Sequence, residues 1–355
     1  VAGELGLETF ILLSRGEAKE NGRAKEAILA NTMEALIGAI YLDSGYEKAE
    51  KFVKARVLSH LEEVLEKELF PLARDMESIA REGSSNLLLG KRMITLFYEP
   101  STRTRLSFES AMIRLGGNVI TTENAREFSS VAKGETLEDT IRVVNHYADV
   151  IVLRHYEAGA ADRAALVSDI PVINAGDGTG QHPTQALLDL YTIKKELGAI
   201  DEITIALVGD LKHGRTIRSL AYLFGKYKGL KIYFVSPQDL KVGNDIKNYL
   251  KRHHIDYEET EDLNSVIYQI DVLYQTRIQE ERFTSEEEYK KFKGCYQIDE
   301  KLVKQMKSKS IIMHPLPRVD EISIAVDASP KAVYFKQAKY GMLIRMALLT
   351  LLLKK

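Results

Sequence analysis

The sequence predicts an α/β protein: two parallel-sheet α/β domains preceded by an all-α N-terminal segment. Strand-like apolar runs recur at 93–98, 119–122, 150–153, 172–174, 203–208, 231–235, 272–274 and 311–313, with helical stretches between most of them. That alternation argues for parallel sheets covered by helices. Residues 1–68 are instead helical in pattern throughout, with good helix formers over 25–41 and, after a Ser44-Gly45 break, over 46–68. A third observation divides the α/β part: the run at 203–208 opens a second strand series after a helical stretch at 183–197, which puts a boundary near residue 200. The expected domains are 1–68, 69–200 and 201–336, with a C-terminal helical segment at 337–355.

Composition bounds the rest. A chain of 355 residues suits two or three domains, and 45% apolar with 28% charged residues is ordinary for a soluble globular protein. A net charge of −2 provides no bulk attraction to nucleic acid or to an anionic membrane. The single cysteine, Cys295, excludes an intramolecular disulfide and a cysteine-rich metal site and fits a reducing cytoplasm. No secretory pattern opens the sequence, and the apolar run at 342–353, interrupted by Arg345, is too short to span a bilayer and reads as a buried helix. The helical pattern over 57–79 has one expected break, at Pro71, which lacks the N–H a helix interior needs, so one helix should end near Leu69 and the next start at Pro71.

The stretch Phe97-Tyr98-Glu99-Pro100-Ser101-Thr102-Arg103-Thr104-Arg105 lies between a strand-like run and helical spacing over 106–115. A first helical turn presents free N–H groups, and hydroxyls with arginine forks add donors, so this junction suits an anion, phosphate above all. The plainer alternative is that Ser101 caps the helix and the arginines are solvated. Further polar motifs end later strands: Arg154-His155, the segment 174–185 with Gln181-His182-Pro183-Thr184-Gln185, Gly209 to Thr216 with Arg215, Thr276-Arg277-Ile278-Gln279, and His314-Pro315-Leu316-Pro317-Arg318. Ligands of open parallel sheets bind beyond the carboxyl ends of strands. Arg103, Arg154, Arg215 and Arg277 would bring four guanidinia to one cleft, more positive charge than can be buried without an anionic ligand. The glycines at 209–214 lack dinucleotide-loop spacing, so no nicotinamide cofactor is expected. No metal or other cofactor is expected either. His146, His253 and His254 read as structural, and 280–293 as a solvated segment.

From about residue 70 onward these motifs, in this order, resemble the catalytic chain of the aspartate carbamoyltransferase family. The resemblance implies the two-domain fold of aspartate and ornithine carbamoyltransferases, with 69–200 binding carbamoyl phosphate, 201–336 binding aspartate, and the C-terminal helix packing back on the first of these. It implies transfer of a carbamoyl group from carbamoyl phosphate to L-aspartate, an early step of pyrimidine biosynthesis. Ser101, Thr102, Arg103 and Thr104 would hold the phosphate. Thr104, Arg154 and His182 would donate to the carbamoyl oxygen, and Gln185 with the carbonyls of Leu316 and Pro317 would take the NH₂. Arg215, Arg277 and Gln279 would hold aspartate. Ser129 and Lys133 match a loop that in the family reaches a neighbouring subunit's site, with Lys133 also binding aspartate, so the resemblance implies a homotrimer with shared sites. An ornithine or other amino-acid carbamoyltransferase is the rival enzyme. That branch carries a Cys in the motif where this chain has His314 to Arg318.

The words Leu5-Gly6-Leu7, Ser14-Arg15-Gly16-Glu17 and Ile28 to Asp43 resemble the second half of a ribonuclease III endonuclease domain. Catalysis in that family needs two acidic pairs for divalent metal. Here Glu34 matches, Asn31 replaces the aspartate, and the first pair would lie before Val1. With 9 Lys and Arg against 13 Asp and Glu over residues 1–68, RNA would be repelled. The expected role is packing or self-association, the rivals being an RNA-binding protein with a silent transferase and an inactive scaffold.

Overall fold

In the computed structural model the described residues are 2, 4, 5, 7, 11, 23–128, 130–278, 283 and 285–354. The chain divides into two units, Val1–Glu68 and Leu69–Lys355. In the first, helices Arg23–Ser44 and Tyr46–Arg56 pack together across Gly45, whose φ of 80° suits a residue without Cβ. Met33 and Ala49 are buried, while Tyr41 and Leu42 stay exposed.

The second unit holds two all-parallel sheets. The first contains β1 (Arg92–Phe97), β2 (Asn118–Glu123), β3 (Val150–His155) and β4 (Val172–Asp177) in the order β2-β1-β3-β4. The second contains β5 (Thr204–Val208), β6 (Lys231–Val235), β7 (Asp256–Thr260), β8 (Val272–Gln275) and β9 (Ile311–Met313) in the order β7-β6-β5-β8-β9. Central strands are apolar in unbroken runs because helices cover both faces; β3 reads Val-Ile-Val-Leu before Arg154. In both sheets the chain winds outward one way and then restarts on the other side, between β1 and β3 and between β5 and β8. These two switch points open crevices at the strands' carboxyl ends.

Helix Pro183–Leu197 joins the sheets and is buried along most of its length. The C-terminal helix Tyr334–Leu353 packs on it and on helices Phe70–Glu82 and Thr102–Arg114. Its burial on nearly all sides explains its near-continuous apolar sequence.

The break expected at Pro71 is where the elements change: a π turn, Leu65–Leu69, ends at Leu69, and helix Phe70–Glu82 starts with Pro71 in its first turn, where no N–H is required. The structure differs from the sequence reading in three places. Residues 46–68 are not one helix, since Tyr46–Arg56 gives way to a 3₁₀ turn at Leu58–His60. Strand β7, Asp-Tyr-Glu-Glu-Thr, escaped notice because an edge strand needs little apolar sequence. The helix after β1 begins at Thr102, ahead of its apolar spacing.

Candidate active site

Helix Thr102–Arg114 begins immediately beyond the loop that leaves β1. Ser101 precedes it but makes no side-chain cap hydrogen bond, so the plain capping alternative is not what the structure has. Arg103 and Arg105 part company because side chains two apart on a helix face opposite ways. Arg105 reaches Glu109, Thr121 and Glu123, with Nη2 2.7 Å from Glu123 Oε2. Arg103 instead lines a cavity of about 850 Å³ together with Ser101, Thr102 and Thr104. Burial pulls its guanidinium below the usual arginine range.

The same cavity receives the other strand ends. Arg154 comes from the end of β3, and His182 and Gln185 from the start of helix Pro183–Leu197. Arg215 opens the helix after β5, Arg277 follows β8, and Leu316 and Pro317 follow β9. Four of these carriers, β1, β3, β5 and β8, are the strands that flank the two switch points. Lys133 is exposed and is not among the residues lining the cavity. Ser129 and Gln279 lie outside the described residues.

The four arginines do not face the cavity without a counter-charge. Glu99 Oε2 lies 3.3 Å from both Nη1 and Nη2 of Arg215 and 3.4 Å from Nη2 of Arg154. Arg154 Nη1 also donates to Ala175 O at 3.3 Å, and Arg215 Nη1 to Gly178 O at 2.8 Å. The loop carrying Gly178 is held by Asp177, whose carboxylate accepts from the N–H groups of Gly159 and Gln181, both at 2.7 Å. The excess of positive charge expected from sequence is therefore reduced by one carboxylate that sits inside the phosphate-loop stretch.

Burial, reinforced by Arg215, Arg154 and Arg345, holds the His182 imidazole well below its usual range. It is neutral near pH 7, and its buried Nδ1 has no hydrogen-bond partner among the described residues. A neutral ring with one N–H is a hydrogen-bond donor that brings no charge.

The β9 loop is tightly specified. Leu316 adopts φ 53° ahead of a cis peptide to Pro317, a backbone region that costs a branched-chain residue on the order of 1 kcal/mol or more. His314 holds it: Nδ1 accepts from the Leu316 N–H at 2.8 Å, and Nε2 donates to Glu321 Oε1 at 2.7 Å. Glu321 Oε2 accepts from the N–H groups of Val319 and Asp320.

Sequence reasoning missed several members. Glu99 was inside the quoted stretch, yet nothing local marks it as a counter-ion. Arg345 stood out as a lone charge in an apolar run; it is buried, lines the cavity, and stacks over the Phe108 ring with Cζ 5.0 Å from the centroid. Asp189 is one helical turn beyond Gln185, a spacing that could have flagged it. It is fully buried, and desolvation pushes its carboxyl up to about 7. Among the described residues of 280–293, Ser285, Glu287, Lys290, Lys291 and Lys293 are exposed, while Phe283 packs against Tyr289 and Phe292, ring centroids 5.8 Å apart in each case, and against His213. Aromatic rings spaced through the charged run give that segment an apolar anchor.

Among the described residues no group of three or more His, Cys, Asp or Glu side chains is placed to hold a metal ion. The chemistry available is hydrogen-bond donation and positive charge around a polar, two-sided cavity, which suits group transfer between anionic small molecules.

The chain belongs to the aspartate/ornithine carbamoyltransferase family. Residues 56–195 match the sequence model of the family's carbamoyl-P binding domain and residues 201–352 that of its Asp/Orn binding domain. Residues 1–61 match a ribonuclease-III-like family. Among relatives, aspartate carbamoyltransferase 3, chloroplastic, of Pisum sativum is 61% identical over 287 residues, covering 80% of this chain and 73% of that one. The aspartate carbamoyltransferase catalytic subunit of Methanocaldococcus jannaschii is 54% identical over 294 residues, covering 82% and 94%. A crystal structure of the M. jannaschii catalytic subunit superposes with a TM-score of 0.76 at 55% identity over 82% of this chain and 94% of that one. Aspartate transcarbamoylase of Trypanosoma cruzi, solved with aspartate and phosphate, does so with a TM-score of 0.74 at 44% identity over 80% and 90%. Among the described residues no helix is long and apolar enough to cross a membrane.

Proposed function

We propose that the cavity is where carbamoyl phosphate and L-aspartate meet, and that the chain transfers the carbamoyl group to the aspartate amine, releasing N-carbamoyl-L-aspartate and phosphate. This is an early step of pyrimidine biosynthesis. The observation that carries the reading is the pairing of a hydroxyl-rich helix start bearing Arg103 with Arg215 and Arg277 on the opposite sheet, all lining one cavity. One set suits a phosphate, and two guanidinia suit the two carboxylates of aspartate.

In this reading Ser101, Thr102, Arg103 and Thr104 bind the phosphate, and Arg103 neutralises charge that grows as it departs. Thr104, Arg154 and neutral His182 donate to the carbamoyl oxygen as it becomes an oxyanion. Gln185 and the carbonyls of Leu316 and Pro317 accept from the carbamoyl NH₂. Arg215, Arg277 and Gln279 orient aspartate so that its nitrogen attacks the carbamoyl carbon. The C–N bond forms, the C–O bond to phosphate breaks, and the departing phosphate takes the amine proton. Positioning and charge stabilisation provide most of the acceleration.

Ser129 and Lys133 act in the site of a neighbouring copy, Lys133 on aspartate, in a homotrimer with shared sites. Support for this comes from Lys133 being exposed and absent from its own chain's cavity lining. Residues 69–200 form the carbamoyl phosphate domain, 201–336 the aspartate domain, and 337–355 the returning helix. Residues 1–68 serve folding or assembly rather than RNA cleavage. The lone Cys295 suits a reducing compartment such as the cytoplasm, and plant relatives named chloroplastic make fractionation the test of location.

The decisive assay offers aspartate and ornithine in parallel, with Arg103→Ala as control. Carbamoylation of aspartate that is lost in Arg103→Ala is expected. Ornithine turnover without aspartate turnover overturns the reading.

A further inference from the structure

Behind Gln185 lies a buried chain of hydrogen bonds with one permitted direction. His314 N–H donates to Gln337 Oε1 at 2.9 Å, which leaves Gln337 to present its Nε2 to Asp189 Oδ1 at 2.6 Å. The same Oδ1 accepts from Gln185 Nε2 at 2.9 Å, while Tyr274 donates its hydroxyl to Asp189 Oδ2 at 2.7 Å. Gln337, Asp189 and Tyr274 are at most 1% exposed. A backbone N–H can only donate, so the amide of Gln337 cannot turn over, and a carboxylate oxygen that meets two amide nitrogens can only accept. A proton on Asp189 would sit on Oδ2, where the tyrosine hydroxyl can accept it, so Oδ1 keeps its role in either state. The amide group that Gln185 has left for a ligand in the cavity is its carbonyl oxygen.

We propose that Asp189 is a positioning residue that selects the acyl donor: by holding Gln185 Nε2 it presents the Gln185 carbonyl to the site, which favours a donor carrying N–H beside its reactive carbonyl. This rests on the assignment of Gln185 to the carbamoyl NH₂. A donor with a methyl group in that place, such as acetyl phosphate, leaves the carbonyl unpaired and is rejected. Were the amide free to turn, its NH₂ would face the ligand half the time and the rejection would weaken. Gln337 belongs to the same device, because it passes the orientation set by the His314 N–H to Asp189.

The measurement is the ratio of the inhibition constant of acetyl phosphate to the KM of carbamoyl phosphate. In Asp189→Leu, which cuts the chain beside Gln185, the ratio falls about tenfold or more, and in Gln337→Leu, which cuts it one link farther from Gln185, it falls in the same direction. Asp189→Asn can still accept both glutamine amides on its oxygen while its NH₂ donates to Tyr274, and it holds the ratio within about threefold. If the Asp189→Leu and Gln337→Leu variants weaken both acyl phosphates in equal proportion, the proposal is overturned. Gln185→Leu separates the two levels of the argument. An unchanged ratio there overturns the assignment of Gln185 itself. A lowered ratio there with wild-type ratios in Asp189→Leu and Gln337→Leu overturns the role of Asp189 alone.

Discussion

Glu99 Oε2 stands 3.3 Å from both Nη1 and Nη2 of Arg215, a residue 116 positions away in the chain. Glu99 follows a strand of the first sheet and Arg215 follows a strand of the second, so this pair ties the two walls of the cavity together. Substituting Glu99→Gln keeps the shape and removes the charge, leaving Arg154 and Arg215 to repel each other. The kcat/KM for aspartate should fall about tenfold to a hundredfold, with a smaller change in phosphate inhibition. Steady-state kinetics with aspartate varied would contradict this by showing wild-type values.

His182 is held neutral by burial and by three arginines. Its folded value lies below the unfolded one, so any stability it contributes is present above the usual imidazole range and declines as pH falls below it. Activity should therefore show no protonation step of this ring between pH 8 and pH 6. His182→Ala should lose about a hundredfold in kcat, the worth of one oxyanion donor, and His182→Asn should recover part of it. A kcat/KM limb near pH 6.5 that vanishes in His182→Asn would show that the ring titrates in the working range.

Asp189 carries the opposite sign. Its carboxyl moves from 3.8 up to about 7 because it is buried, so the folded chain holds a proton that the unfolded chain has lost. The stabilisation from that proton is complete below the unfolded value and is lost as pH rises towards 7. Asp189→Asn has no such dependence, and its stability relative to wild type should climb by roughly 2 kcal/mol between pH 5 and pH 7 and level off above that. Parallel thermal melts across that range read the difference directly; curves that stay parallel would mean Asp189 is ionised throughout.

The His314 ring satisfies the Leu316 N–H and the Glu321 carboxylate together. His314→Ala leaves a buried amide and a mostly buried carboxylate without it and should cost about 2 to 4 kcal/mol. Urea unfolding at neutral pH measures this. Carbamoyl phosphate KM should rise with it, since Leu316 loses the contact that holds its backbone; a stable variant with an unchanged KM would remove His314 from this role.

Removal of residues 1–56 tests the N-terminal segment. Its long helix leaves Tyr41 and Leu42 exposed, an apolar face suited to packing or self-association. A lower melting temperature or a smaller oligomer is expected, with kcat per assembled site preserved. Unchanged mass by light scattering together with unchanged stability would exclude a folding or assembly role.

The sequence alone determined the alternation that builds parallel sheets, because buried central strands need continuous apolar runs and helices need their own spacing. It also determined which residue types stand at the strand ends: Ser101 to Thr104, Arg154, His182, Arg215 and Arg277 are legible as local words, and all of them line one cavity. Only the tertiary structure decided their partners. Glu99 becomes a counter-ion because a later sheet brings Arg215 to it, and Asp189 is oriented by Tyr274 and Gln337, 85 and 148 positions away. Burial then set the charge states, pushing Asp189 up and His182 down, since desolvation depends on what surrounds a group and not on its neighbours in sequence. The polar edge strand β7 was decided the same way, by pairing with β6, which has no local sequence signature.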